Sequence, residues 1–272
     1  MMLINGAADD RLEAGDRGLA FGDGVFRTLA CVDGAPRLWP WQYACLARDA
    51  TRLGLPVPGE ALLLAELRQA CTGLPRAVAK ITLTRGSGLR GYAIPADATA
   101  TRIVAAHAWP GYPEHYAQDG VALTWCTLRL GLQPRLAGIK HLNRLENVLA
   151  RSDLSDTCVE GLLCDSDGLV IEGTLSNLFV LRDGQWRTPQ LDRCGVAGAM
   201  RAWVMARLPV EEARLRPADV TEADLLFVCN SLAGIWPVAD LDGRRWRDFQ
   251  PLRPLQWALA QEYAVAATQN RL

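Results

Sequence analysis

No Cys-x-x-Cys pair occurs among these 272 residues, although the chain holds eight cysteines: Cys31, Cys45, Cys71, Cys126, Cys158, Cys164, Cys194 and Cys229. Singly scattered cysteines exclude the usual zinc and dithiol spacings, and we expect reduced, mostly buried small hydrophobes. Histidine is scarce, and His107, His115 and His141 are too dispersed for a recognisable metal site. An excess of one charge is also lacking: 29 Lys and Arg face 30 Asp and Glu, a net charge of -1. No global field therefore draws in nucleic acid or an anionic membrane, and any anion must be held locally. Uninterrupted apolar runs of about 18 residues are missing, and residues 1–10 lack the basic-then-apolar layout of a secretory signal, so the cytoplasm is the expected location. Lysine itself is nearly absent, with only Lys80 and Lys140 among the 29 basic residues.

What is there is ample core material, since half of the residues are hydrophobic. Short β-branched and apolar runs alternate with helix-period stretches, which predicts a mixed α/β chain. Gly24 to Val32, Asp33-Gly34 and Arg37 to Trp39 read as two strands joined by a tight turn. Helices are expected at Trp41 to Leu53 and Glu60 to Cys71, then strands at Ala77 to Thr84 and Arg102 to Trp109. Prolines and glycines between His107 and Gly120 mark a linker, placed at residues 111–120 between an N-terminal α/β domain, 1–110, and a C-terminal α/β domain, 121–272. Downstream come a strand at Val121 to Leu128, a helix from about Asn143 to Thr157, strands at Gly161 to Cys164, Leu178 to Leu181 and Leu225 to Asn230, and helices near Gly198 to Leu208 and Leu255 to Ala266.

Three stretches carry chemistry. Gly86-Ser-Gly-Leu-Arg-Gly91 matches the dinucleotide G-x-G-x-x-G pattern, but Tyr-Ala-Ile-Pro follows it where a pyrophosphate site needs a helix start. The same loop offers Arg85, Arg90 and Tyr92, and two arginines there suit a carboxylate clamp as well as they suit a solvated surface. Lys140 sits among apolar residues just before a helix; lysine can lose its proton and form imines, which arginine cannot, although a partly buried structural lysine fits the residues too. Glu172 closes a predicted strand before small polar residues, where a surface carboxylate is the plainer reading. Paired with a reactive lysine, it becomes a carboxylate that keeps a pyridine nitrogen protonated.

The segments Leu3-Ile-Asn-Gly6, Asp16-Arg17, Phe21-Gly-Asp-Gly-Val-Phe26, Arg85-Gly-Ser-Gly and Leu136-Ala-Gly-Ile-Lys-His-Leu-Asn-Arg-Leu-Glu146, together with Asn177-Leu-Phe179 and Gly195-Val-Ala-Gly-Ala-Met-Arg201, span essentially the whole chain. On them it resembles the fold-type IV pyridoxal-5'-phosphate (PLP) enzymes, a two-domain, D-amino-acid aminotransferase-like α/β fold, and within these the 4-amino-4-deoxychorismate lyases. The resemblance implies a homodimer and a PLP-dependent lyase of folate biosynthesis, releasing 4-aminobenzoate and pyruvate. It implies Lys140 as Schiff base and proton shuttle, and Glu172, 32 residues on, as partner of the pyridine nitrogen. It further implies Gly198, Ala199 and Ser231 at the cofactor phosphate and Thr28 near the reacting carbon, where a strand threonine facing a neighbour is an equal reading. Arg85, Arg90 and Tyr92 are expected at the substrate. The family's phosphate-binding arginine aligns with Cys45, which cannot supply the charge, so Arg48 one turn on is expected to take its place. A branched-chain or D-amino-acid aminotransferase shares nearly every one of these residues and stays open, as does a non-catalytic scaffold.

Overall fold

A computed structural model describes residues 1–88 and 91–269. It divides into two compact units: residues 1–111, 139–143 and 262–272 form the first, and residues 112–138 and 144–261 the second.

The first unit is built on one antiparallel sheet. Its elements are β1 (Met2–Ile4), β2 (Ala7–Ala8), α1 (Arg17–Phe21), β3 (Gly24–Val32), β4 (Ala35–Pro36), α2 (Trp39–Arg52), α3 (Glu60–Ala70), β5 (Arg76–Thr84) and β6 (Thr101–Ala108). The strand order is β2-β1-β6-β5-β3-β4. Side chains alternate across a strand, so Val25, Leu29 and Cys31 of β3 share one face and pack in a core with Leu46 and Ala50 of α2 and Leu63 and Leu67 of α3. Arg27 falls on that same face by register. Phe26 and Thr28 fall on the opposite one, beside Thr82 and Lys80 of β5, their partners across the ladder.

The expected turn at Asp33-Gly34 is present, with φ of 49° and 76°. Its second strand is not Arg37 to Trp39: β4 ends at Pro36, Leu38 turns left-handed (φ 54°), and Trp39 already opens α2. Pro40 explains the early helix, because proline is favoured in a first turn where its missing N–H costs nothing.

The second unit contains α4 (His115–Gln118), β7 (Val121–Leu130), α5 (Leu145–Ser152), β8 (Glu160–Asp165), β9 (Val170–Gly173), β10 (Asn177–Arg182), β11 (Gln185–Pro189), α6 (Ala199–Met205), β12 (Val210–Ala213), α7 (Pro217–Thr221), β13 (Leu225–Asn230), β14 (Gly234–Leu241) and β15 (Arg244–Arg245); α8 (Arg253–Gln269) begins in this unit, and its residues from 262 on are counted with the first. Its sheet runs β12-β11-β10-β13-β14-β7-β8-β9, with β15 paired to β14. The β14–β7 and β7–β8 ladders are parallel. Around its centre Phe179 and Phe227 stack at 4.8 Å, and Trp203 of α6 is fully buried. A second cluster joins Cys126, Leu130, Leu163, Ile171 and Cys194. Helix α5 is shorter than the expected Asn143 to Thr157, starting at Leu145 and ending at Ser152. Ser152, Asp153 and Ser155 compete for backbone hydrogen bonds and favour helix ends over interiors.

Candidate active site

Lys140 lies in the five-residue stretch 139–143 that is counted with the first unit. Ile139 enters that unit's core, fully buried. The stretch then runs along the start of β3: Val25 and His141 form an antiparallel bridge, the Phe26 N–H donates to the Lys140 carbonyl at 3.0 Å, and the Leu142 N–H donates to the Gly24 carbonyl at 3.0 Å. Glycine is required at position 22, where φ is +66° and any Cβ would run into the Asn143 amide. The Lys140 N–H donates to Asp49 Oδ2 at 2.9 Å. Both main-chain polar groups of Lys140 are therefore held.

Its side chain is half-buried, with Nζ 4.7 Å from the centroid of the Phe26 ring. Lys80, the chain's other lysine, places its Nζ 4.8 Å from the same centroid. The two amines thus address one aromatic ring on the sheet face opposite the helices. Thr28, paired in register with Lys80, is half-buried on that face too. Thr28 thus shares a sheet face with the Phe26 ring that Lys140 Nζ meets. Lys80 and Phe26 are additions that a lone lysine in a strand did not signal.

The remaining sequence-predicted residues of this unit are placed as follows. Cys45 is buried, and its carbonyl accepts from Arg27 Nη2 at 3.2 Å. Arg48 keeps 38% of its side chain exposed, while its Nε and Nη2 donate to Asp49 Oδ1 at 2.9 and 2.7 Å. Arg85 is not an open clamp: it is buried, and its guanidinium donates to Asp23 Oδ2 at 2.9 Å and to the carbonyls of Gly54 and Leu53 at 3.1 and 2.7 Å. Arg85 and Arg17 together hold the Asp23 carboxyl below its usual range, against the opposing effect of burial. Tyr92 is 85% exposed, its carbonyl accepting from Arg17 Nη2 at 3.2 Å. Arg90 lies outside the described residues.

In the second unit Glu172 sits on β9 opposite Leu163 of β8, 3% exposed. Its Oε2 accepts the Val196 N–H at 2.8 Å. Val196 pairs with Gly138, whose N–H donates to the Gly195 carbonyl at 2.9 Å and whose carbonyl accepts the Ala197 N–H at 3.0 Å. Gly138, two residues ahead of Lys140, is thus fixed to the strip that holds the Glu172 carboxylate. Asn177 fastens the next residues, its Nδ2 donating to the Val196 carbonyl at 2.8 Å and its Oδ1 accepting the Gly198 N–H at 3.2 Å. Gly198 caps α6 and Ala199 is its first residue, so the first-turn N–H groups beyond have no acceptor within the helix. Ser231 follows β13 in a turn closed by Asn230 Oδ1, which accepts from the N–H groups of Leu232 and Ala233 at 2.9 and 2.7 Å.

The turn after Glu172 is organised by a residue that sequence reading passed over. The buried Glu160 carboxylate accepts from the N–H of Gly161, Thr174 and Leu175 at 3.0, 3.0 and 3.1 Å. It also accepts from the Thr174 hydroxyl and from Ser176 Oγ at 2.8 Å. An acidic residue starting a strand carries no local signal of such a role.

Taken one by one, Lys140 offers an amine, Glu172 a buried carboxylate and the start of α6 amide donors, groups of the kinds that bind a carbonyl carbon, a ring nitrogen and a phosphate. Residues 24–241 match the family model for class IV amino-transferases. The chain is 34% identical to an aminodeoxychorismate lyase of Vibrio harveyi over 247 residues, 89% of this chain and 91% of the relative. Among solved structures it is similar to 4-amino-4-deoxychorismate lyase from Pseudomonas aeruginosa, at 44% identity and TM-score 0.91, covering 96% of this chain and 98% of that one. It shares its fold with a PLP-bound hypothetical aminotransferase from Mycobacterium tuberculosis (TM-score 0.77, 21% identity, 99% of both chains).

Proposed function

The chain belongs to the class IV aminotransferase family, and on that premise we propose that it is a PLP-dependent lyase converting 4-amino-4-deoxychorismate to 4-aminobenzoate and pyruvate. The observation that carries this is Lys140: one of two lysines in the chain, half-buried, with its main chain bonded on both sides, in a protein 44% identical to a solved lyase.

The residues present fit PLP. Lys140 would be the amine for its aldehyde carbon, Glu172 the carboxylate for its pyridine nitrogen, and the Gly198–Ala199 amides with Ser231 would hold the phosphate. Arg48, with more than a third of its side chain exposed, lies one helical turn beyond Cys45 and would be the arginine to answer the phosphate. PLP, when bound, supplies an electron sink that acidifies the C–H bond next to the substrate amine. Lys140 Nζ would be the base for that proton and would return it to the departing enolpyruvate, so that pyruvate leaves and the ring becomes aromatic. The Phe26 ring under Nζ offers a flat, weakly attractive support for the amine in its charged form. Thr28 places a hydroxyl on the same sheet face.

The protein acts as a homodimer in the cytoplasm. Support for the dimer comes from α5, where Leu145, Val148 and Leu149 are 75%, 58% and 56% exposed, an apolar face suited to a second copy. Support for the compartment comes from eight cysteines that are all thiols, and no helix among the described residues is long and apolar enough to cross a membrane.

The test is the product ratio. With 4-amino-4-deoxychorismate and PLP, we expect pyruvate and 4-aminobenzoate in equal amounts and no need for a 2-oxo acid. Steady transfer of an amino group from a D- or branched-chain amino acid to 2-oxoglutarate, without pyruvate release, would assign the aminotransferase activity instead.

A further inference from the structure

Asp49 of α2 is completely buried and stands 91 residues from Lys140 in sequence. Its carboxylate receives four donors. Oδ2 accepts from Arg27 Nη2 and from the Lys140 N–H at 2.9 Å, while Oδ1 accepts from Arg48 Nε and Nη2 at 2.9 and 2.7 Å. We propose that Asp49 is the positioning residue of Lys140, a carboxylate clamped between two arginines that fixes the main chain from which the reactive amine projects. This rests on the reading that Lys140 carries PLP.

The local ladder shows why such a clamp has work to do. The hydrogen bonds between 139–143 and β3 use the Lys140 carbonyl and the Leu142 N–H; the Lys140 N–H is answered by a side chain instead. Without that acceptor, a donor at the reactive residue would lose its partner and the chain there would be free to rotate. The clamp is itself rigid. Arg27 enters from β3 on the core face, 2% exposed, and also donates to the Cys45 carbonyl. Burial lowers the Arg27 pKa and the Asp49 charge opposes that shift, so each ion is what keeps the other tolerable in the core. In this network Arg27 and Asp49 are buried, with 2% and 0% of their side chains exposed, and serve as positioning groups. Its effect passes through the direction of the Lys140 side chain, and a displacement of about 1 Å at a reacting group is enough to cost about 100-fold in rate.

A purely structural ion pair would make a different prediction, and two charge-neutral pairs of substitutions separate them. Arg27→Leu with Asp49→Asn removes both charges but keeps an oxygen for the Lys140 N–H; Arg27→Leu with Asp49→Leu removes that oxygen as well. Amide hydrogen exchange is read at Lys140 and Phe26 in the full-length protein, with thermal unfolding as a check on folding. In the wild type the Lys140 N–H should exchange at least about tenfold slower than an unprotected amide. The Asn pair should keep that protection and the Leu pair lose it, with Phe26 protected in both. The Leu pair should also attach PLP to Lys140 more slowly and lose about 10- to 100-fold in kcat, with KM within about threefold. Equal protection and equal PLP attachment in the two pairs would overturn the proposal, as would an unprotected Lys140 amide in the wild type, a result independent of whether either variant folds. Wild-type protein that never attaches PLP at Lys140 would instead refute the proposed function, and the exchange comparison would still read the Asp49 bond.

Discussion

At Lys140 two features meet: a side chain able to form an imine and a backbone bonded through both of its polar groups. Lys140→Ala should lower turnover by at least about 1000-fold while leaving the unfolding midpoint nearly unchanged; turnover at the wild-type rate would remove Lys140 from the chemistry. Glu172→Gln removes a negative charge where one hydrogen bond, from the Val196 N–H, is already made. We expect kcat to fall about 10- to 100-fold, because a neutral partner no longer keeps the pyridine nitrogen protonated; kcat measured beside PLP affinity checks this. The thiols give a pH prediction. Burial pushes Cys126 up to about 11 and Cys194 up to about 12, from the ordinary 9.0. Both stay neutral in the fold above the pH at which an unfolded chain ionises them, so their contribution is intact below about pH 9 and is lost as pH rises through 11 to 12. Unfolding midpoints should therefore fall over that window, and Cys126→Ala with Cys194→Ala should flatten the decline.

The residues proposed for the chemistry stand out in the sequence because they sit in contiguous strings: Gly138 to Arg144 around Lys140, Ile171 to Asn177 around Glu172. Asp49 and Glu160 were not. Each acts on backbone N–H groups brought to it by folding, across 91 residues for Asp49 and Lys140, and a lone acid in a helix or strand looks the same whether it meets water or a buried donor. Arg85 departs from its expected open loop for the same reason. Its position after β5 suggested an open loop, whereas Asp23 and two carbonyls drew it inward.

Among the elements, strands with clean alternation were readable to within a residue or two, β3 and β13 to the residue. The errors cluster where a turn meets a helix. Pro40 is a helix-start signal, which the reading of Arg37 to Trp39 as a strand leaves out. Strand β14 was missed because Pro237 within it argues against a central strand; the parallel ladder to β7 shifts register between Val238 and Asp240, the kind of irregularity that accommodates such a residue. The turn between β9 and β10 depends on Glu160, whose oxygens gather three N–H groups and two hydroxyls. Glu160→Gln should destabilise the protein by about 1–3 kcal/mol, since an amide nitrogen would then face donors. Denaturant unfolding measures this, and a change below about 0.5 kcal/mol would show that the turn does not need the carboxylate.

For the whole molecule, the fold class followed from the mixture of periodicities, and the family from motifs spread from Leu3 to Arg201. Which face meets a partner did not, because an exposed leucine in a helix is common. If α5 forms the dimer, Leu145→Asp with Leu149→Asp should convert the protein to monomers in light scattering; an unchanged mass would place the contact elsewhere. The proposed chemistry requires one covalent bond, between Lys140 and PLP. The purified protein, mixed with PLP and reduced with borohydride, should carry a phosphopyridoxyl group on the peptide containing Lys140 and lose its visible band. A label on Lys80, or none at all, would contradict it.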